Sequence, residues 1–131
     1  MKKLLFITIS ILLLTSCKKE EKELISLEGT RWKFFKYYED GGWGQKELTF
    51  TDTHVTYLGT THDNCSSTFT GVYTFDPPTV VIVSDHWIYF GDQPNVTVEM
   101  TNHHQGTVSG RTMTIGIQFS DVVAITDFLR Q

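Results

Sequence analysis

Thr68-Phe69-Thr70-Gly71-Val72-Tyr73-Thr74-Phe75 is the clearest structural signal in the chain, because aromatic residues or glycine occupy every second position. Successive side chains of a β-strand point to opposite faces, so this period of two predicts a half-buried strand. Asp76-Pro77-Pro78 ends the pattern, since proline has no amide hydrogen to give to a strand ladder. The face that we expect to turn inward carries Phe69, Gly71, Tyr73 and Phe75.

The same alternation recurs on both sides of this stretch, in short segments that end at glycine-rich turns. Residues 46–50, 96–100 and 112–117 each alternate apolar and polar side chains. Two longer polar segments, 59–67 and 103–106, are predicted to be loops. No segment after Cys17 shows the apolar period of 3.6 residues that is typical of a helix.

About eight to ten short strands separated by such turns predict an all-β domain. We expect a small antiparallel up-and-down β-barrel of about eight strands, because closing the sheet leaves no exposed strand edge. A β-sandwich is the alternative that the same pattern allows.

Residues 1–16 have the features of a signal peptide. Lys2 and Lys3 precede a mostly apolar run, Leu4 to Leu14, of about eleven residues. A helix that spans a bilayer needs about 20 residues, so this run is too short for a transmembrane segment. We therefore expect residues 1–16 to be removed on maturation.

Leu14-Thr15-Ser16-Cys17 resembles the bacterial lipobox, in which a signal peptidase cuts before the cysteine and the thiol carries a lipid. The resemblance implies lipidation of Cys17 and an anchor in the outer membrane of a Gram-negative bacterium, on its periplasmic or cell-surface face. Residues 17–26 begin with a run of lysine and glutamate that cannot bury surface, which predicts a solvated tether. An ordinary secreted protein with an incidental Cys17 is the alternative.

The charge of the mature chain excludes some partners. Removal of residues 1–16 takes away Lys2 and Lys3 from eleven basic residues and none of the fifteen acidic ones. The resulting acidic surface argues against nucleic acid as a partner. The remaining length suits one domain, which we place at residues 27–131. With Cys17 lipidated, Cys65 has no second cysteine for an internal disulfide.

Two short motifs carry a resemblance to a known family. Leu27-Glu28-Gly29-Thr30-Arg31-Trp32 resembles the opening Leu-x-Gly-Thr-x-Trp of bacterial lipocalin-like lipoproteins, and residues 106–115 resemble their late hairpins. The resemblance implies a lipocalin-like β-barrel over residues 27–131 and a small hydrophobic or amphipathic ligand.

Candidate chemical groups are few. His62-x-x-Cys65 has two residue types that bind zinc, but a structural zinc site needs four ligands, so we predict no metal site. Cys65 lacks flanking residues that resemble a cysteine-hydrolase motif, and no phosphate-binding glycine loop precedes a helix. The sequence therefore predicts a protein that is not an enzyme and needs no cofactor.

The aromatic residues are the stronger functional lead, and two interpretations stay open. They fill the barrel as a solid core, or some of them line a pocket for an apolar ligand. With a pocket, we expect a ligand-binding module; with a filled barrel, we expect an accessory protein whose loops dock a protein partner. The residues predicted to line the pocket are Trp32, Phe50, Tyr73, Phe75, Trp87 and Met100.

Overall fold

The structure, a computed structural model, describes residues 24–91, 95–119 and 122–131. Eight antiparallel strands form a closed barrel in which each strand pairs with the next along the chain and β8 returns to β1. The predicted all-β, up-and-down barrel is therefore confirmed, and the sandwich alternative is not what the chain forms. The strands are β1 (Arg31–Tyr37), β2 (Trp43–Phe50), β3 (His54–Thr61), β4 (Ser66–Asp76), β5 (Thr79–Phe90), β6 (Val96–Ser109), β7 (Thr112–Phe119) and β8 (Val122–Arg130).

The prediction of a loop at residues 103–106 was wrong, because β6 runs through them without a break. Asn102 and His104 are buried, whereas His103 and Gln105 are exposed, so the alternation of a strand continues in polar residues. β5 likewise joins two predicted strands into one, with a register shift between Ser84 and His86. The strand prediction depended on hydrophobic side chains alone, so the polar side chains on the inner face hid the continuity of these two strands.

The interior is filled over most of its length by side chains from alternate positions of all eight strands. Tyr57, Phe69 and Trp87 form its centre, with ring centroids 4.6 to 5.2 Å apart. Such stacked and edge-to-face ring pairs are favourable arrangements for aromatic side chains. The other buried apolar residues are Leu27, Trp32, Leu48, Phe50, Val55, Val80, Ile82, Val108, Met113, Ile115, Ile117 and Phe128.

The segment before β1 closes one end of the barrel, and its motif has a structural explanation. Leu27 is fully buried in the core. The Thr30 hydroxyl donates a hydrogen bond to the Leu27 carbonyl at 2.6 Å and accepts one from the Trp32 indole at 2.9 Å. Gly29 makes the connecting turn at φ 74°, a conformation that glycine adopts without a steric penalty. We call this end, which also holds the β2–β3, β4–β5 and β6–β7 turns, the closed end.

All eight strands and the described core lie within residues 24–131. Leu24, which the sequence placed in the tether, packs against this core. No helix among the described residues is long and apolar enough to cross a bilayer.

Gly71 tests how tightly β4 packs against β5. A Cβ atom at this position would lie 2.5 Å from the Val83 carbonyl oxygen, which is backbone and moves little. We expect Gly71→Ala to lower the free energy of unfolding by about 1 to 3 kcal/mol, as overpacking does. Urea denaturation measures the change. Thr70→Ala, on the exposed face of the same strand, is the control, and an equal effect of both variants would contradict the close packing.

Candidate binding cleft

The inward side chains become small toward the end opposite the closed end. Lys46 pairs with Gly59, Gly59 with Ser67, and Ser67 with Tyr89, so these four residues form one row around the wall. A Cβ atom on Gly59 would lie 2.8 Å from the Tyr57 hydroxyl, so a larger residue there would require the tyrosine side chain to shift. The small residues leave the barrel open here as a cleft of about 340 Å³.

The cleft has aromatic walls and a polar rim. Its walls come from β1, β2, β3 and β5, and its rim comes from the end of β3 and the start of β4. A concave, mostly apolar site with a few polar groups is the usual form of a small-molecule site, and this volume lies at the small end of the range of about 300 to 1,000 Å³. The aromatic residues are Phe34, Tyr38, Tyr57, Tyr89 and Phe90, and the rim residues are Thr60, Thr61, Cys65 and Ser66.

The aromatic core described above supports the cleft from below. Phe69 stacks between Tyr57, at 5.1 Å, and the ring of His104, at 4.9 Å. Trp87 meets Phe69 edge-on. Burial raises the pKa of the Tyr57 hydroxyl, so this group stays neutral at physiological pH. The floor is therefore aromatic and uncharged.

Lys46 brings the one charge into this site. It is the only charged side chain among the described residues that line the cleft. Its Nζ donates a hydrogen bond to the Thr126 hydroxyl at 3.1 Å and lies 5.6 Å from the centre of the Phe34 ring. Thr126 is on β8, two strands away from β2, so the lysine reaches it through the barrel interior. Burial lowers the pKa of the Lys46 amine below its ordinary value.

His104 is a second polar residue in the interior, and its partners fix its charge state. The backbone amide of Gln118 donates a hydrogen bond to His104 Nδ1 at 2.8 Å, so Nδ1 carries no proton. Nε2 lies 2.9 Å from the Ser84 hydroxyl and is then the protonated nitrogen of a neutral ring. The pairing of β6 with β7 stops at Gln105 and Gly116. Beyond this point the His104 imidazole takes the place of the β6 backbone partner that the Gln118 backbone amide would have in a continuing ladder. Burial, with a smaller effect from His103, lowers the pKa of His104 to about 4.

The residues that the sequence predicted for ligand contact lie elsewhere in the barrel. Trp32, Phe50 and Trp87 are fully buried in the core, and Tyr73 and Phe75 pack against it while half-buried. Met100 is half-buried on β6. None of the six lines the cleft, although Trp87 packs on two residues that do, Tyr57 at 5.2 Å and Tyr89 at 6.3 Å. Their role as ligand contacts stays a prediction. Cys17 lies outside the described residues.

The histidine and cysteine that the sequence analysis considered as metal ligands lie on the β3–β4 loop. His62 and Cys65 are exposed, and His62 Nδ1 accepts a hydrogen bond from the Trp43 amide at 3.4 Å. In the described part of the chain, no group of three or more histidine, cysteine, aspartate or glutamate side chains is placed to hold a metal ion. Cys65 instead forms part of the rim of the cleft.

The sequence contained a signal for the cleft that the search for large aromatic residues missed. The signal is the reduction in side-chain size at successive inward positions of β3, from Tyr57 to Gly59, and of β4, from Phe69 to Ser67. Lys46 gave a second signal, because it occupies the inward phase of β2 together with Leu48 and Phe50.

Comparisons with protein-family models, with curated proteins and with solved structures found no match to this chain.

The buried neutral His104 predicts a specific pH dependence of stability. The unfolded chain binds a proton near the ordinary pKa of 6.5, whereas the folded barrel binds it only near pH 4. The contribution of neutral His104 to the free energy of unfolding is therefore fully present above pH 6.5. It is lost as the pH drops, by at most about 3 kcal/mol at pH 4. Urea denaturation across this range measures the slope.

Two variants assign this slope to one residue. His104→Gln should remove it, because glutamine does not titrate, and His103→Gln, on the exposed face of β6, should keep the slope of the natural chain. Equal slopes in all three proteins would show that His104 is not the group responsible.

Proposed function

We propose that this protein is a membrane-anchored lipoprotein whose β-barrel binds a small hydrophobic or amphipathic molecule. The observation that carries the proposal is the cleft, which has aromatic walls, a polar rim and a closed floor. Apolar surface removed from water contributes about 25 cal/mol per Å², so a hydrophobic molecule gains free energy by entering. The walls are held by strands, which keeps the loss of conformational freedom on binding small.

The position of the chain's entry supports an orientation of the barrel on the membrane. The chain enters at the closed end, where Leu24 and Leu27 pack against the core. In our proposal residues 1–16 are removed, Cys17 is lipidated, and the few residues between Cys17 and Leu24 hold the closed end near the outer membrane. The cleft then opens away from the bilayer, toward soluble molecules.

One surface feature favours the alternative of an accessory protein that docks a partner. β1 and β8 pair only at Trp32 with Arg130 and Lys33 with Leu129, so the rest of each strand edge is unpaired along this seam. Exposed apolar side chains line the seam on both strands, including Tyr37 at 74% and Ile125 at 78% exposure. An extended segment of a partner protein would add a strand at such an edge. In this alternative the partner docks on the barrel wall at the seam, whereas the sequence predicts docking through the loops.

Ser67 offers a test of the cleft, because its half-buried side chain lies on the cleft wall. We expect residues 24–131, expressed in bacteria, to retain a small apolar molecule that native mass spectrometry detects and denaturation releases. Ser67→Leu should lower the bound fraction at least about tenfold, since the larger side chain fills the cleft. Ser67→Ala, which removes the hydroxyl without filling the space, should retain the molecule.

A clean unliganded mass, unchanged after incubation with fatty acids, haem and bile-acid-like amphiphiles, would contradict the binding function. The docking alternative at the β1–β8 seam would then be the better explanation.

The two cysteines of the chain allow a test of the proposed lipid anchor. In a Gram-negative host we expect the full chain to lose residues 1–16, to gain the mass of attached acyl chains and to fractionate with the outer membrane. Cys17→Ser should abolish the added mass and the outer-membrane location, because two or more acyl chains are needed for a stable anchor. Cys65→Ser is the matched control and should behave as the natural chain. Unchanged lipid mass in Cys17→Ser would overturn the assignment.

A further inference from the structure

Lys46 places a charged side chain in a part of the barrel that has few polar partners for a charge. β2 alternates so that Gly44, Lys46, Leu48 and Phe50 share one phase, and the last two are fully buried core residues. The lysine ammonium group lies over the Phe34 ring and reaches the hydroxyl of Thr126, a buried residue of β8. A side chain that was only solvated would not cross the interior to reach a strand two positions away.

The contacts of the ammonium group do not neutralise its charge. A neutral hydroxyl and an aromatic face are its partners, and no carboxylate of a described residue lies within ion-pair distance of Nζ. Lys33 provides a contrast on the outer face of the neighbouring strand, where its Nζ lies 3.5 Å from Glu47. A partly buried cation without an anionic partner is costly, because desolvation disfavours the charged form.

We propose that Lys46 binds the anionic head group of an amphiphile whose apolar chain lies against the aromatic walls of the cleft. This inference rests on the proposed binding function and narrows its ligand class. The ammonium group has three donors, of which the Thr126 hydroxyl takes one, so it can still donate to an oxyanion. Carboxylate and phosphate monoester share this chemistry, and both are compatible with a single lysine.

The cleft favours an anion over a neutral or cationic amphiphile. Lys46 is the only charge among its described lining residues, so no carboxylate there repels an oxyanion or pairs with a cation. The low-dielectric aromatic surroundings strengthen the attraction between opposite charges relative to water. The rim hydroxyls of Thr60 and Ser66 supply further polar groups without charge.

Cys65 provides a reporter for occupancy, because it lies on the rim and is the only cysteine besides Cys17. The full chain, purified from membranes into phosphatidylcholine nanodiscs, is treated with a thiol-alkylating reagent. The rate at Cys65 is measured against rising concentrations of dodecanoate, dodecyl phosphate or dodecanol. The three probes share one apolar chain and differ in the head group, so the two oxyanions are also compared with each other.

We expect the anionic probes to protect Cys65 at concentrations roughly tenfold or more below those required of dodecanol, as for a hydrogen bond to a charged group. Lys46→Met, which keeps the length of the apolar stem, should remove that advantage, and Lys46→Arg should retain most of it. Lys33→Met is the matched control and should behave as the natural chain. A cooperative thermal transition in each variant shows that the barrel is folded.

The outcomes separate this inference from the function on which it rests. Equal protection by dodecanol and dodecanoate, unaffected by Lys46→Met, would overturn the role of Lys46 and leave a binding cleft for neutral apolar molecules. Protection by none of the three probes, in a folded natural chain, would overturn both. Protection by only one oxyanion supports the inference and identifies the head group.

Discussion

The structure depends on one constraint, the small interior volume of a closed barrel with eight strands. Such a barrel is just wide enough for side chains to fill, so the size of each inward residue decides whether its level is solid or hollow. At the level of Tyr57, Phe69 and Trp87 the rings meet across the interior and leave no room. One row further, the paired residues Gly59 and Ser67 are too small to fill the interior, and the same barrel becomes a cleft. A solid core and a pocket are therefore two levels of one interior.

The interior also holds two basic side chains, and the barrel treats them differently. His104 has a backbone amide on one nitrogen and the Ser84 hydroxyl beside the other, so its hydrogen bonds are complete only when it is neutral. It thereby supports β7 at the point where the β6–β7 ladder ends. Lys46 has partners that suit a cation but do not balance its charge. The first arrangement is what a structural residue needs, and the second leaves capacity for a ligand.

The fold could be predicted because strand alternation is a local property. Residues 68–75 showed it so clearly that the barrel followed from repeating the same argument along the chain. The prediction failed at residues 103–106, since His104 is polar and yet faces inward, and only the long-range partners Ser84 and Gln118 explain why it is tolerated. The cleft was harder to predict, because the row from Lys46 to Tyr89 depends on strand register, which sequence alone does not give. Large residues such as Trp32 and Phe50, which the sequence predicts as ligand contacts, are packed in the core and do not line this cleft.

The arrangement of the two ends explains why the barrel tolerates an open level at all. At the closed end, Leu27 and Trp32 are fully buried, and the Thr30 hydroxyl ties them together through hydrogen bonds to the Leu27 carbonyl and the Trp32 indole. The packing that stabilises the barrel is therefore concentrated between this cap and the ring cluster at Tyr57, and the row above contributes little apolar burial. Gly59 and Ser67 therefore leave the open level without weakening the packing that holds the barrel together. Lys46 lies at the boundary between the two levels, where it lines the cleft and its ammonium group lies over the Phe34 ring.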